Sequence, residues 1–65
     1  MTIGMKLRIE RTKRKLRLVD VAEKVFINHQ ALSHYERDTS DIPARVFIRL
    51  CKFYDLKLED FKGME

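Results

Sequence analysis

His29, Gln30, Ser33 and His34 carry the richest chemistry in the chain. All four side chains form hydrogen bonds, and none holds a fixed charge. At helical spacing, positions 29, 30, 33 and 34 share one face. Such a face suits a partner whose edge displays donors and acceptors in a pattern. Gln30 is the sharpest of the four, because its amide matches the N6 amino group and N7 of adenine with two hydrogen bonds. His29, Ser33 and His34 suit base edges or phosphate oxygens. The plain alternative for each His is an exposed surface side chain. A metal site is not expected. His29 and His34 are five apart, which misaligns them on a helix, and no Cys, Asp or Glu nearby completes a ligand set. The chain also lacks a glycine-rich phosphate loop, paired carboxylates in a pocket and a nucleophile beside a base, so no catalytic residue and no cofactor are expected.

The elements that position this face lie in residues 16–36, LRLVDVAEKVFINHQALSHYE. Two short helices, about 18–25 and 29–36, are expected there with a tight turn between them. Val21, Ala22 and Val25 fall on one face of the first, Leu32 and Tyr35 on one face of the second. Ile27 sits in the connector, where it plugs the gap between the helices. Asn28 precedes the second helix and caps it through its side-chain oxygen. Ala22 is small where two helices must approach closely. This is the layout of a helix-turn-helix, whose second helix enters the major groove of double-stranded DNA.

The rest of the chain gives that unit a body. With 65 residues it makes one domain, 1–65, and it can bury only about 60% of its unfolded surface. Hydrophobic residues at 45% and charged residues at 37% suit a small helical protein. The net charge of +4 favours an anionic partner, the alternative being a merely solvated basic face. Met1–Gly4 reads as a loose start, followed by a helix at about 5–14 anchored by Leu7. Lys6, Arg8, Lys13, Arg14, Lys15 and Arg17 give this end a strong positive field. A helix at about 43–53 starts with Pro43 in its first turn. Its stripe Phe47, Leu50, Cys51 and Tyr54 is core, which leaves Val46, Ile48 and Phe53 over as a partner surface. Arg45 lies near the preceding loop, within reach of phosphate. A last short helix at about 58–62 brings Phe61 to close the core. No run spans a bilayer and no signal peptide is evident, so the expected place is the cytoplasm, with access to the nucleoid and no membrane partner.

The stretch VAEKVFINHQALSHYE, followed by Pro43 and CKFYDLKLEDF, resembles the Cro/CI-type, XRE-like helix-turn-helix of phage and bacterial regulators, from about Met5 to Phe61. The resemblance implies an all-α, five-helix, lambda-repressor-like domain, and a transcriptional regulator of repressor or Cro-like kind bound to DNA as a homodimer. It implies an ion pair between Arg11 and Glu36. Ile42 and Leu58 match positions near the two-fold contact of DNA-bound dimers, and Val46 joins them as a candidate. Phosphate candidates are Arg17, Asn28, Arg37, Thr39, Ser40 and Arg45. Several positions depart from the family's pattern. Arg17 replaces the usual Ser or Thr cap, and Leu18 a phosphate-binding Gln. Phe26 replaces Gly in a turn that commonly needs positive φ, so either the helix ends differently or the ring packs to offset strain. Asp38 and Asp41 place acid in the loop that would meet phosphate. These departures and the apolar surplus motivate an alternative: an interaction module of the same fold, antitoxin-like or an anti-repressor partner, with weak DNA binding and a regulatory protein as partner.

Overall fold

Leu7, Val21, Val25, Leu32, Leu50 and Tyr54 are almost completely buried, and four α-helices are arranged so that these side chains meet. The computed structural model describes residues 1–64. The helices are α1 (Ile3–Lys13), α2 (Leu18–Lys24), α3 (His29–Glu36) and α4 (Ala44–Tyr54), followed by a 3-10 turn at Leu58–Phe61. No strand occurs among the described residues. α3 packs against both α2 and α1, and α1 packs also on α4. Ala22, Val46 and Phe61 complete the core, and each fully buried aliphatic side chain contributes about 1.5–3 kcal/mol.

The all-α class holds, with one element fewer than the expected five helices. The segment at 58–62 is a single 3-10 turn, in which the Asp60 carboxylate accepts the Lys57 N–H at 2.7 Å. The start of the chain is not loose. α1 begins at Ile3 because Thr2 caps it, its hydroxyl accepting the Met5 N–H at 3.1 Å. Pro43 lies one residue outside α4. Its ψ of 143° is extended, and its carbonyl accepts the N–H groups of Val46 and Phe47 at 3.0 Å.

The inward line of α4 is Val46, Leu50 and Tyr54 at i, i+4 and i+8. Val46 is 3% exposed, which removes it from any dimer surface. Phe47 and Cys51 fall on the shoulder of that line and are only half-buried. Phe47 meets the core edge-to-face on Phe61, with ring centroids 4.9 Å apart. Ile48 and Phe53 remain outside.

All four helices end in the same way, and none uses glycine. Lys15, Phe26, Asp38 and Asp55 take φ of 57°, 62°, 60° and 58°. In each case the following N–H reaches back five residues: Leu16 to Arg11, Ile27 to Ala22, Thr39 to His34 and Leu56 to Cys51, at 2.8–3.3 Å. These are Schellman ends, in which a left-handed residue turns the chain and satisfies the last carbonyls. At Phe26 the helix ends as the family's glycine would end it. The ring is 80% exposed, so core packing does not offset the strain. Its contact is the Arg49 guanidinium, 5.7 Å from the ring centroid.

Candidate nucleic-acid interface

α3 is fixed from behind and open in front. Leu32 and Glu36 are buried, whereas His29, Gln30 and His34 are exposed and Ser33 is half-buried. Asn28 supplies the cap, its side-chain oxygen accepting the Ala31 N–H at 2.7 Å. Its amide NH₂ stays exposed as a donor. Ile27 packs against the core between α2 and α3. Glu36 meets Arg11 in two parallel bonds, Nε to Oε2 at 2.8 Å and Nη2 to Oε1 at 2.9 Å. The remaining Arg11 nitrogen donates to the Leu16 carbonyl at 2.9 Å, so one guanidinium joins α1, the entry to α2 and the end of α3. The hydrogen bond to Glu36 raises the Arg11 pKa above its ordinary value, against burial, which lowers it.

The exit of α3 is tied in two directions. Asp38 turns its carboxylate back toward α1, where it accepts the Thr2 hydroxyl and, at 3.2 Å, the Gly4 N–H. It is therefore engaged within the fold and does not stand toward a phosphate. Gly4 is required by this approach, because a Cβ there would collide with the Tyr35 carbonyl oxygen and come within 2.6 Å of Asp38 Oδ1. Thr39 also folds back: its Oγ1 lies 2.9 Å from His34 Nδ1 and 3.2 Å from the His34 carbonyl. Arg37 Nε donates to the Ser33 carbonyl at 3.4 Å. Ser40, Asp41 and Arg45 are exposed.

Part of the positive charge in the first 17 residues is engaged within the fold. Glu10 is buried at 4% exposure and gathers Lys6 at 3.1 Å, Lys13 at 2.9 Å and Arg14 at 2.7 Å. Burial pushes the Glu10 carboxyl up, but the hydrogen bonds from Arg14, Lys13 and Lys6 outweigh it and hold the pKa at about 2. Arg14 continues to the Tyr54 carbonyl at 3.0 Å and lies 5.0 Å over the Tyr54 ring, closing the end of α4. Arg49 does the same for α2 through the Val25 carbonyl at 3.3 Å. Arg17 pairs with Asp20 at 2.9 and 3.1 Å and makes no cap for α2. That bond raises the Arg17 pKa and lowers that of Asp20. Arg8, Lys15 and Arg45 have no ion pair among the described residues.

The Glu10 cluster and the roles of Arg14 and Arg49 are not marked in the sequence. Pairs spaced three or four apart are common on exposed helices, so i−4, i+3 and i+4 cations around Glu10 look like solvated surface. Thr2 did carry a signal: a Thr three residues before Met5 is an N-cap pattern.

Apolar side chains also stay outside. Leu58 is 78% exposed at the rim of an apolar groove of about 220 Å³ lined by Phe47, Ile48, Cys51 and Leu56. Ile42 is half-buried, in a second groove of about 440 Å³ with Tyr35 and Phe47. No helix among the described residues is long and apolar enough to cross a membrane.

Two short helices joined by a tight turn, the second capped, braced and polar outward, define a DNA-binding helix-turn-helix domain. The chain belongs to the helix-turn-helix family of XRE-like, Cro/CI type, whose family model matches residues 7–61. This is a family of DNA-binding regulators rather than enzymes. No curated protein matches the sequence.

Proposed function

We propose that the protein is a sequence-specific regulator of transcription, a repressor or Cro-like switch, that reads the major groove of double-stranded DNA with α3. The observation that supports it is the face of α3: His29, Gln30 and His34 exposed, while Leu32 and Glu36 lock the opposite face into the core. Gln30 pairs with adenine, and His29, Ser33 and His34 contact neighbouring base edges. Asn28, Arg37, Ser40 and Arg45 take phosphate oxygens, and Arg17 does so on leaving Asp20. The protein acts as a homodimer at the nucleoid, on a near-palindromic site with half-sites about 34 Å apart. Leu58 and Ile42 of the two copies meet at the two-fold axis, and the apolar groove beside Leu58 supports that choice.

A titration against DNA fragments around its own gene, at two salt concentrations, tests this. A specific complex forms, weakens steeply with salt, and changes its sequence preference in Gln30→Ala, at a cost of about 1–3 kcal/mol. Weak binding without preference, equal in the variant, favours a second function: an interaction module of the same fold. Exposed Phe26 and Ile48, and the engagement of Arg17 by Asp20, are the observations on its side.

A further inference from the structure

Thr39 and His34 make two contacts that only one arrangement of protons satisfies. Thr39 Oγ1 lies 3.2 Å from the His34 carbonyl oxygen and 2.9 Å from His34 Nδ1. A carbonyl oxygen only accepts, and a hydroxyl has one proton to donate. Both contacts are made together when the Thr39 hydroxyl donates to the carbonyl and accepts from Nδ1–H. That assigns the neutral ring its Nδ1–H form and leaves Nε2 with a lone pair. Nε2 makes no hydrogen bond among the described residues, and the side chain is exposed. Thr39 is held in turn by its own N–H, which reaches the same carbonyl at 3.0 Å in the Schellman end of α3.

We propose that Thr39 is a positioning residue that sets His34 to read an exocyclic amino group in the major groove. An Nε2 lone pair accepts from cytosine N4 or adenine N6, and has nothing to offer the acceptors of guanine or phosphate. The backbone geometry that ends α3 thus also decides which base the helix prefers. The inference rests on α3 reading DNA, whereas the proton arrangement itself does not require DNA.

The test combines two readouts on the wild type, Thr39→Val and Thr39→Ser. The first is the nitrogen spectrum of the His34 ring in the protein alone, at a pH where imidazole is neutral. The second is selection of preferred sites from random DNA, with His34→Ala locating the base pair that His34 contacts and showing whether it is cytosine or adenine. The expected wild type has Nδ1–H and prefers an amino-bearing base at that position. Thr39→Val shifts the ring toward Nε2–H and loses at least half of the preference there alone, while Thr39→Ser keeps both properties. A wild-type ring in the Nε2–H form overturns the proposal. So does a Thr39→Val variant whose preference is unchanged. An Nδ1–H ring in a protein that selects no DNA sequence overturns the base-reading role and the proposed regulator together, and leaves the Thr39 bond as a feature of the helix end.

Discussion

Arg11 faces Glu36 as a planar fork, with both donor–acceptor distances under 3 Å. The two side chains are 13% and 3% exposed, and they come from helices 25 residues apart in sequence. Glu36 lies in the last turn of α3, so the pair ties the end of that helix to α1. Removing one partner strands a buried charge, which costs about 3–5 kcal/mol. Arg11→Met is expected to lower the thermal midpoint severely or to unfold the domain. The double variant Arg11→Met with Glu36→Leu recovers most of the loss. An unchanged midpoint in Arg11→Met refutes the bracing role.

Acid will weaken the fold through Glu10. Its carboxyl titrates at about 2 in the folded protein, from an ordinary value of 4.5. The unfolded chain therefore takes up the proton first, and stability falls as pH falls. The contribution is complete above about pH 5 and is lost as pH falls from there to about 2. Lys13 and Arg14 are partly in solvent, so the contribution is on the order of 1–2 kcal/mol. Urea unfolding of wild type and Glu10→Gln at pH values across that window measures it. The gap between the two proteins should close at low pH, and a constant gap would contradict the assignment.

Two of the four left-handed helix ends can be relieved without touching a buried group. A non-glycine residue there is strained by about 1–2 kcal/mol, partly offset in glycine by its larger unfolded-state entropy. Lys15→Gly is expected to stabilise by about 1 kcal/mol, and Phe26→Gly by less because it loses the Arg49 contact. Lys15→Val should destabilise. Chemical denaturation ranks the three, and a Lys15→Gly that is less stable than wild type is inconsistent with the left-handed end.

Gly4→Ala probes the approach of α1 to the end of α3. The added methyl meets backbone, which cannot swing aside as a long side chain does. A loss of about 1–3 kcal/mol is expected, as for other overpacked sites. Thermal melting decides it, and a neutral or stabilising effect would show that the two helices stand further apart.

Leu58→Asp separates assembly from recognition. In the proposed homodimer, an acid at the apolar two-fold contact should abolish cooperative occupation of a full site while leaving binding to a single half-site unchanged. Gel shifts on the two DNA lengths read both. Equal binding of wild type and variant to the full site would remove Leu58 from the dimer contact.

The helices were legible because their signals are local. α3 runs over the expected residues, since Asn28 caps it and Leu32 and Tyr35 mark its face. The beginning of α1 is less legible, because Asp38, which helps Thr2 hold its first turn, lies far away in sequence. The burial of Val46 is hidden for a similar reason: α4 offers two apolar stripes, and only the packed partners choose between them. Around α3, the sequence shows which side chains are polar and where they sit. It does not show that Arg17 is held by Asp20, that Asp38 turns inward, or that Thr39 bonds to His34. Each of those facts is a choice between water and a neighbour, and composition does not make it.

The bond from Gly4 to Asp38 spans 34 residues and carries a constraint on timing. A growing chain exposes α1 before the carboxylate that completes its first turn has been joined to it. While the chain is still short, that turn has only Thr2 to hold it, and the full clasp forms once the residues of α3 and its exit have emerged. The opening turn of α1 and the closing turn of α3 therefore share one clasp. Neither end can be complete in a truncated chain that stops before Asp38.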